Sequence, residues 1–146
     1  MRSKDKTIAL VGCGTALATL VAVALFQSEL IDSLPDPPGE IFDSERITLS
    51  KMAHPAGVPD SYLGLASYGT TFTLLLLAEE YPWAERVLGF KLMADAGAAG
   101  FNAVRQVVRF QKLCSWCTGT ALATAVMVYG GRKAVTSAFA TAKAMV

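Results

Sequence analysis

Thr7 to Gln27 (TIALVGCGTALATLVAVALFQ) is a run of 21 residues without a single charge. A helix of about 20 such residues crosses a hydrocarbon core of about 30 Å, so the fold must either bury this run completely or place it in lipid. Ser61 to Ala78 and Leu113 to Gly130 are also uncharged, and the first of these ends in four leucines and an alanine. Leu88 to Phe110 is of spanning length but is interrupted by Lys91, Asp95, Asn102, Arg105 and Arg109. Composition decides between burial and lipid. The 146 residues are 53% apolar and 17% charged, with a mean hydropathy of +0.41, against about 25% charged in a soluble domain. Too little polar surface is left to keep a small globule in water. The expectation is an all-α chain, an integral membrane four-helix bundle forming one domain over 1–146, with helices at about 7–27, 61–78, 88–110 and 113–130.

The third segment is amphipathic. Asp95, Asn102 and Arg109 are spaced seven apart, which stacks them on one helix face, to be turned to the bundle interior or a wet cleft. Lys and Arg in the flanks set orientation. With the N-terminus inside, eight lie inside (Arg2, Lys4, Lys6, Arg86, Lys91, Arg132, Lys133, Lys143) and five outside (Arg46, Lys51, Arg105, Arg109, Lys112). That bias puts both termini in the cytoplasm and the long loop 28–60 outside. The loop holds most of the acids and a proline-rich stretch, Leu34 to Pro38, that cannot be regular helix interior. Asp43 to Ala53 could form a short interfacial helix. A loop this long is either a functional cap or a tether.

A signal peptide and a lipoprotein cleavage site at Leu10-Val11-Gly12-Cys13 are the competing readings of the N-terminus. The apolar run continues well past Cys13, and the stretch before it is shorter than a signal core. Cys13 is therefore expected as a small buried hydrophobe in a spanning helix. A net charge of +1 with no basic block gives no electrostatic case for nucleic acid, and one His with three Cys gives no four-ligand zinc site.

Cys114-Ser115-Trp116-Cys117 carries the sharpest chemical meaning. Two cysteines so spaced at a helix start can close a disulfide ring, and the first sits on the positive end of the helix dipole, which favours its thiolate. Such a pair can pass two electrons between a thiol partner and an acceptor. The bland alternative is two inert buried cysteines. Gly97 to Gly100 reads as a smooth face for close helix packing. Trp83, with Tyr81 and Pro82, reads as a headgroup anchor in the inner turn. Trp116 is an outer anchor or a pocket wall, and His54 is an interfacial residue rather than a proton donor.

Leu113 to Thr124 (LCSWCTGTALAT) resembles the fourth-helix motif of the vitamin K epoxide reductase family, and Gly57 to Tyr68 (GVPDSYLGLASY) is similar to the segment leading into that family's second helix. The resemblance runs from about Thr7 to Arg132. It implies a bundle enclosing a membrane quinone of the ubiquinone or menaquinone type, in the bacterial inner membrane, with a thioredoxin-like extracytoplasmic protein as electron donor. By motif position it implies that Cys117 faces the quinone as the reducing thiolate and that Cys114 exchanges with the incoming thiol. Trp116, Asp60, Ser61 and Leu63 are then the expected quinone contacts. Family members usually carry a second cysteine pair in the first loop, and residues 28–60 contain no cysteine. The partner's thiols must then reach Cys114 directly, or the chain is a non-catalytic quinone- or protein-binding module. Membership of a larger redox complex, through the polar third helix, is a third reading.

Overall fold

A computed structural model describes residues 3–145; Met1 and Arg2, the latter counted above in the N-terminal flank, lie outside them. The described chain is all helix apart from its connections. The helices are α1 (Ser3–Gln27), α2 (Ser44–Thr48), α3 (Asp60–Leu77), α4 (Pro82–Phe110), α5 (Ser115–Gly130) and α6 (Arg132–Met145). Two 3-10 turns, Lys51–Ala53 and Pro55–Gly57, link α2 to α3.

Local chemistry sets the boundaries. α4 begins six residues before the expected start because Pro82 sits at its first position, where its missing N–H costs nothing. Trp83 is thus in the first turn of a helix rather than in a turn between helices. α4 ends on Gln111, whose left-handed backbone (φ 53°) lets its N–H reach the Val107 carbonyl at 3.1 Å. α5 starts at Ser115 rather than 113 because Cys114 is its N-cap. The expected interfacial helix over 43–53 is cut short at Thr48, with Asp43 capping it through the Arg46 N–H.

α1 is the axis of the assembly, packing on α5 and α3, while α4 packs on α3, α5 and α6. The α1–α5 crossing is close. A Cβ on Gly12 would lie 2.7 Å from the Met127 nitrogen, and one on Gly130 would lie 2.5 Å from the Ala9 nitrogen, so only glycine fits at either place. The core between them holds Ala9, Cys13, Ala16, Tyr68, Leu75, Leu88, Leu92 and Met127. Cys13 is fully buried, its S–H directed at the Tyr68 carbonyl 3.4 Å away.

α6 is a helix beyond the four expected; it carries Arg132, Lys133 and Lys143 and packs through Ala134 and Ala138 against Gly89 of α4. The expected packing face at 97–100 is corrected: Gly97 and Gly100 face open space, while Ala98 and Ala99 line a cavity. Among the described helices, α1 alone is both long and apolar enough to cross a membrane by itself. α5 has only 16 residues and α4 carries several charges. Large apolar side chains nevertheless point outward from all four long elements, among them Val11, Leu76, Val108 and Leu122.

Candidate functional site

The loop between α1 and α3 folds over the start of α5. Phe42 and Leu113 form a parallel bridge: the Leu113 N–H donates to the Ile41 carbonyl at 2.7 Å, and the Asp43 N–H donates to the Leu113 carbonyl at 2.9 Å. Asp36 accepts from the Ser115 hydroxyl at 2.6 Å, from the Ser44 N–H at 2.9 Å, and from the Ser44 hydroxyl. The Ser115 N–H donates to the Ser44 hydroxyl at 2.9 Å. Burial pushes the Asp36 carboxyl up, but the hydrogen bonds from Ser115 and Ser44 outweigh it and hold the group below its ordinary value. Of the two readings of this loop, the cap is the one the hydrogen bonds describe.

Beneath the cap lie the cysteines. Cys114 is fully buried, its N–H held by the Gln106 side-chain oxygen at 3.1 Å. The Cys117 N–H donates to the Cys114 sulfur at 3.1 Å. A sulfur at the N-cap of α5 thus receives a backbone donor and the positive end of the helix, both of which favour thiolate. Cys117, one turn on, is half-buried.

Cys117 opens onto a cavity of about 330 Å³ bounded by α1, α3, α4 and α5. That size lies at the lower end of the range for small-molecule sites. Most of its surface is apolar, with Leu20, Val23, Leu63 and Phe101 in its walls, and polar side chains of α3, α4 and α5 line it as well. Asp60, Asn102 and Arg105 stand near Cys117, since they share with it a second, smaller gap under α2. Asp95 and Ser67 also line the cavity.

Of the expected contacts, Asp60, Ser61 and Leu63 line this cavity together with Cys117. Trp116 does not. Its indole N–H donates to the Pro35 carbonyl at 2.9 Å, and its ring packs with Val23, Phe26 and Leu34, so it clamps the loop. The polar stripe on α4 is half placed. Asp95 and Asn102 line the cavity, but Arg109 is exposed and Arg105 takes the third position. Arg109 lies fourteen residues, about 21 Å, along α4 from Asp95, beyond the end of the cavity that Arg105 still lines. The Arg105 guanidinium donates to the Asn102 side-chain oxygen at 2.8 Å, while its buried Nε has no partner among the described residues. Such an orphaned donor beside a cavity suits a carbonyl ligand. His54 sits in the cap with Nδ1 2.9 Å from the Ser50 carbonyl.

Sequence reasoning missed Gln27, Gln106 and Asp36. Gln27, the last residue of α1, donates to the Thr48 carbonyl at 2.7 Å and to Asp60 at 3.2 Å, and accepts from the Ser61 hydroxyl. It ties cap, α1 and α3 together at the cavity's edge. A lone glutamine at the end of an apolar run was the available signal.

The model of the vitamin K epoxide reductase family matches residues 7–130. No curated protein and no solved structure matches the chain.

Proposed function

The chain belongs to the vitamin K epoxide reductase family, whose members are membrane oxidoreductases acting with quinones and a thiol-redox partner, and we propose that it passes electrons from an extracytoplasmic dithiol protein through Cys114 and Cys117 to a membrane quinone. The single observation that carries the reading is Cys117 opening onto an apolar cavity while its partner Cys114 sits one helical turn away at the helix N-cap.

In this reading a donor thiol reaches Cys114 after the cap has moved aside and breaks the Cys114–Cys117 disulfide, releasing Cys117, and the donor's second thiol then displaces Cys114 from the mixed disulfide. The re-reduced Cys114 is held as thiolate by the helix end and attacks the Cys117 sulfur as two electrons leave for the cavity. Arg105, Asn102 and Asp60 are the groups that would hold a quinone carbonyl near Cys117, and Leu63 and Ser61 would border the ring. A quinone supplies a two-electron, two-proton acceptor there. Four spans with both termini inside follow from α1, α3, α4 and α5 as the crossing helices. The outward apolar side chains on each support that arrangement.

The test is alkylation mass analysis of the purified, fully reduced chain. With an excess of short-chain ubiquinone or menaquinone, Cys114 and Cys117 should both become unavailable to the reagent while Cys13 remains a thiol. If both stay reduced, the electron path is wrong. One observation favours a second reading, in which the chain binds a quinone or a protein without turnover: Cys114 is fully covered and the cap has no cysteine to relay electrons. That reading predicts that Cys114→Ser with Cys117→Ser leaves the cellular phenotype intact.

A further inference from the structure

Lys91 and Asp95 form an ion pair inside the helix assembly, one turn apart on α4. The Asp95 side chain is only 4% exposed and the Lys91 side chain 21%. The ammonium also donates to the Ser67 hydroxyl at 2.7 Å and the Thr71 hydroxyl at 2.9 Å, and sits 6.0 Å from the Tyr68 ring centroid. Asp95 accepts from Thr71 at 2.6 Å and from Ser67 at 3.2 Å. A buried pair of this kind stabilises a fold poorly, because the desolvation of both charges offsets their attraction. Inside a membrane segment an ionisable pair marks a site of function.

Its position supplies the function. Asp95 lines the cavity and Lys91 does not, so one member faces the ligand space and the other stands one turn farther along α4 from the Cys117 end. Asn102, at the Cys117 end, is seven residues along α4 from Asp95, about 10 Å. That is of the order of a quinone ring with a hydrogen bond at each carbonyl. Lys91 lies about 22 Å along the axis from Gln106, the residue that holds Cys114. The pair therefore lies toward the opposite face of the molecule from the thiols.

We propose that Asp95 is the proton donor to the quinone oxygen farther from Cys117, and that Lys91 restores its proton from the face opposite the thiols. This rests on the function proposed above. The balance requires such a donor: a Cys114 thiolate, a Cys117 thiol, one quinone and one proton give one disulfide and one hydroquinone. The S–S bond forms and the Cys117 S–H bond breaks, and its proton goes to the near oxygen. Two electrons leave sulfur for the ring. Because Cys114 has already shed its proton on the cap side, the second hydroquinone hydrogen comes from elsewhere. The neutral amine and carboxylic acid are the same pair with the proton shifted across its hydrogen bond, so Asp95 can present an acid without leaving Lys91. Each hydroquinone then takes one proton from the face opposite the one on which Cys114 released its own.

The test uses the full chain, pre-reduced and mixed with a short-chain ubiquinone for a single turnover. Hydroquinone formation should slow ten-fold or more in Asp95→Asn and recover largely in Asp95→Glu, while disulfide formation driven by diamide, which needs no quinone, keeps its wild-type rate. Infrared difference spectra of the wild type should show a carboxyl band changing on quinone reduction, absent in Asp95→Asn. Should Asp95→Asn fail to fold, Lys91→Met is the second arm: without the ammonium that supplies Asp95 with its proton, hydroquinone formation slows ten-fold from the first turnover. Wild-type rates in Asp95→Asn, unchanged turnover in Lys91→Met, or no carboxyl change in the wild type would each overturn the relay alone. Thiols that stay reduced in the wild type with excess quinone would overturn the function above and the relay with it.

Discussion

One side-chain amide, Gln106, holds the backbone under Cys114, and its removal separates packing from chemistry. Gln106→Leu leaves the buried Cys114 N–H without a partner, which costs about 1–3 kcal/mol; thermal unfolding in detergent should report a loss of that order. Asp36 gives a prediction in pH. Its carboxyl is held below the ordinary value of about 3.9, so the bonds it accepts from Ser44 and Ser115 are complete above that pH and are lost only as pH falls through the lower folded value. Amide-exchange protection of Ser44, whose N–H donates to Asp36, should therefore persist at pH 5 and collapse in stronger acid, whereas Asp36→Ala lacks it at neutral pH. At this scale the sequence was readable where a motif fixed position. The motif over Gly57 to Tyr68 groups Asp60, Ser61 and Leu63, and these line one cavity with Cys117 of the CxxC. Asp36 and Gln27 were not readable, because each acts through a partner distant in sequence, and spacing alone says nothing of that.

At the scale of elements, glycines divide by what stands opposite them. Gly12→Ala drives a methyl into the α5 backbone and should destabilise by about 1–3 kcal/mol. Gly97→Ala and Gly100→Ala meet open space and should be neutral or stabilising by up to about 1 kcal/mol through helix propensity. Resistance of the fold to a denaturing detergent, measured across the three variants, checks the ordering. Long apolar runs made α1 and α3 visible to within a few residues. The sequence did not show that α4 begins at Pro82 or that α6 exists. α6 is short and carries three basic residues, and its apolar side is only wide enough to cover the first turns of α4. Small residues clustered at 97–100 suggested a contact face, but closeness is set by the partner helix, and the partner helices press on Gly12, Gly89 and Gly130 instead.

For the whole molecule, the orientation has a direct check. In an otherwise cysteine-free chain, Lys51→Cys should react with a membrane-impermeant maleimide in intact cells, and Lys143→Cys only once the membrane is permeabilised. Labelling of both from one side would break the four-span arrangement. The cap also bears on which donors the molecule will serve. Its grip on α5 runs through Asp36, Ser44, Ser115 and Trp116, and no sulfur in it offers a stepping stone. A small free thiol drifting past meets a closed shutter. On the proposed electron path, only a macromolecule broad enough to seize the strap and fold it back would deliver reducing equivalents, and discrimination among donors would then be decided by surface recognition before any sulfur is touched.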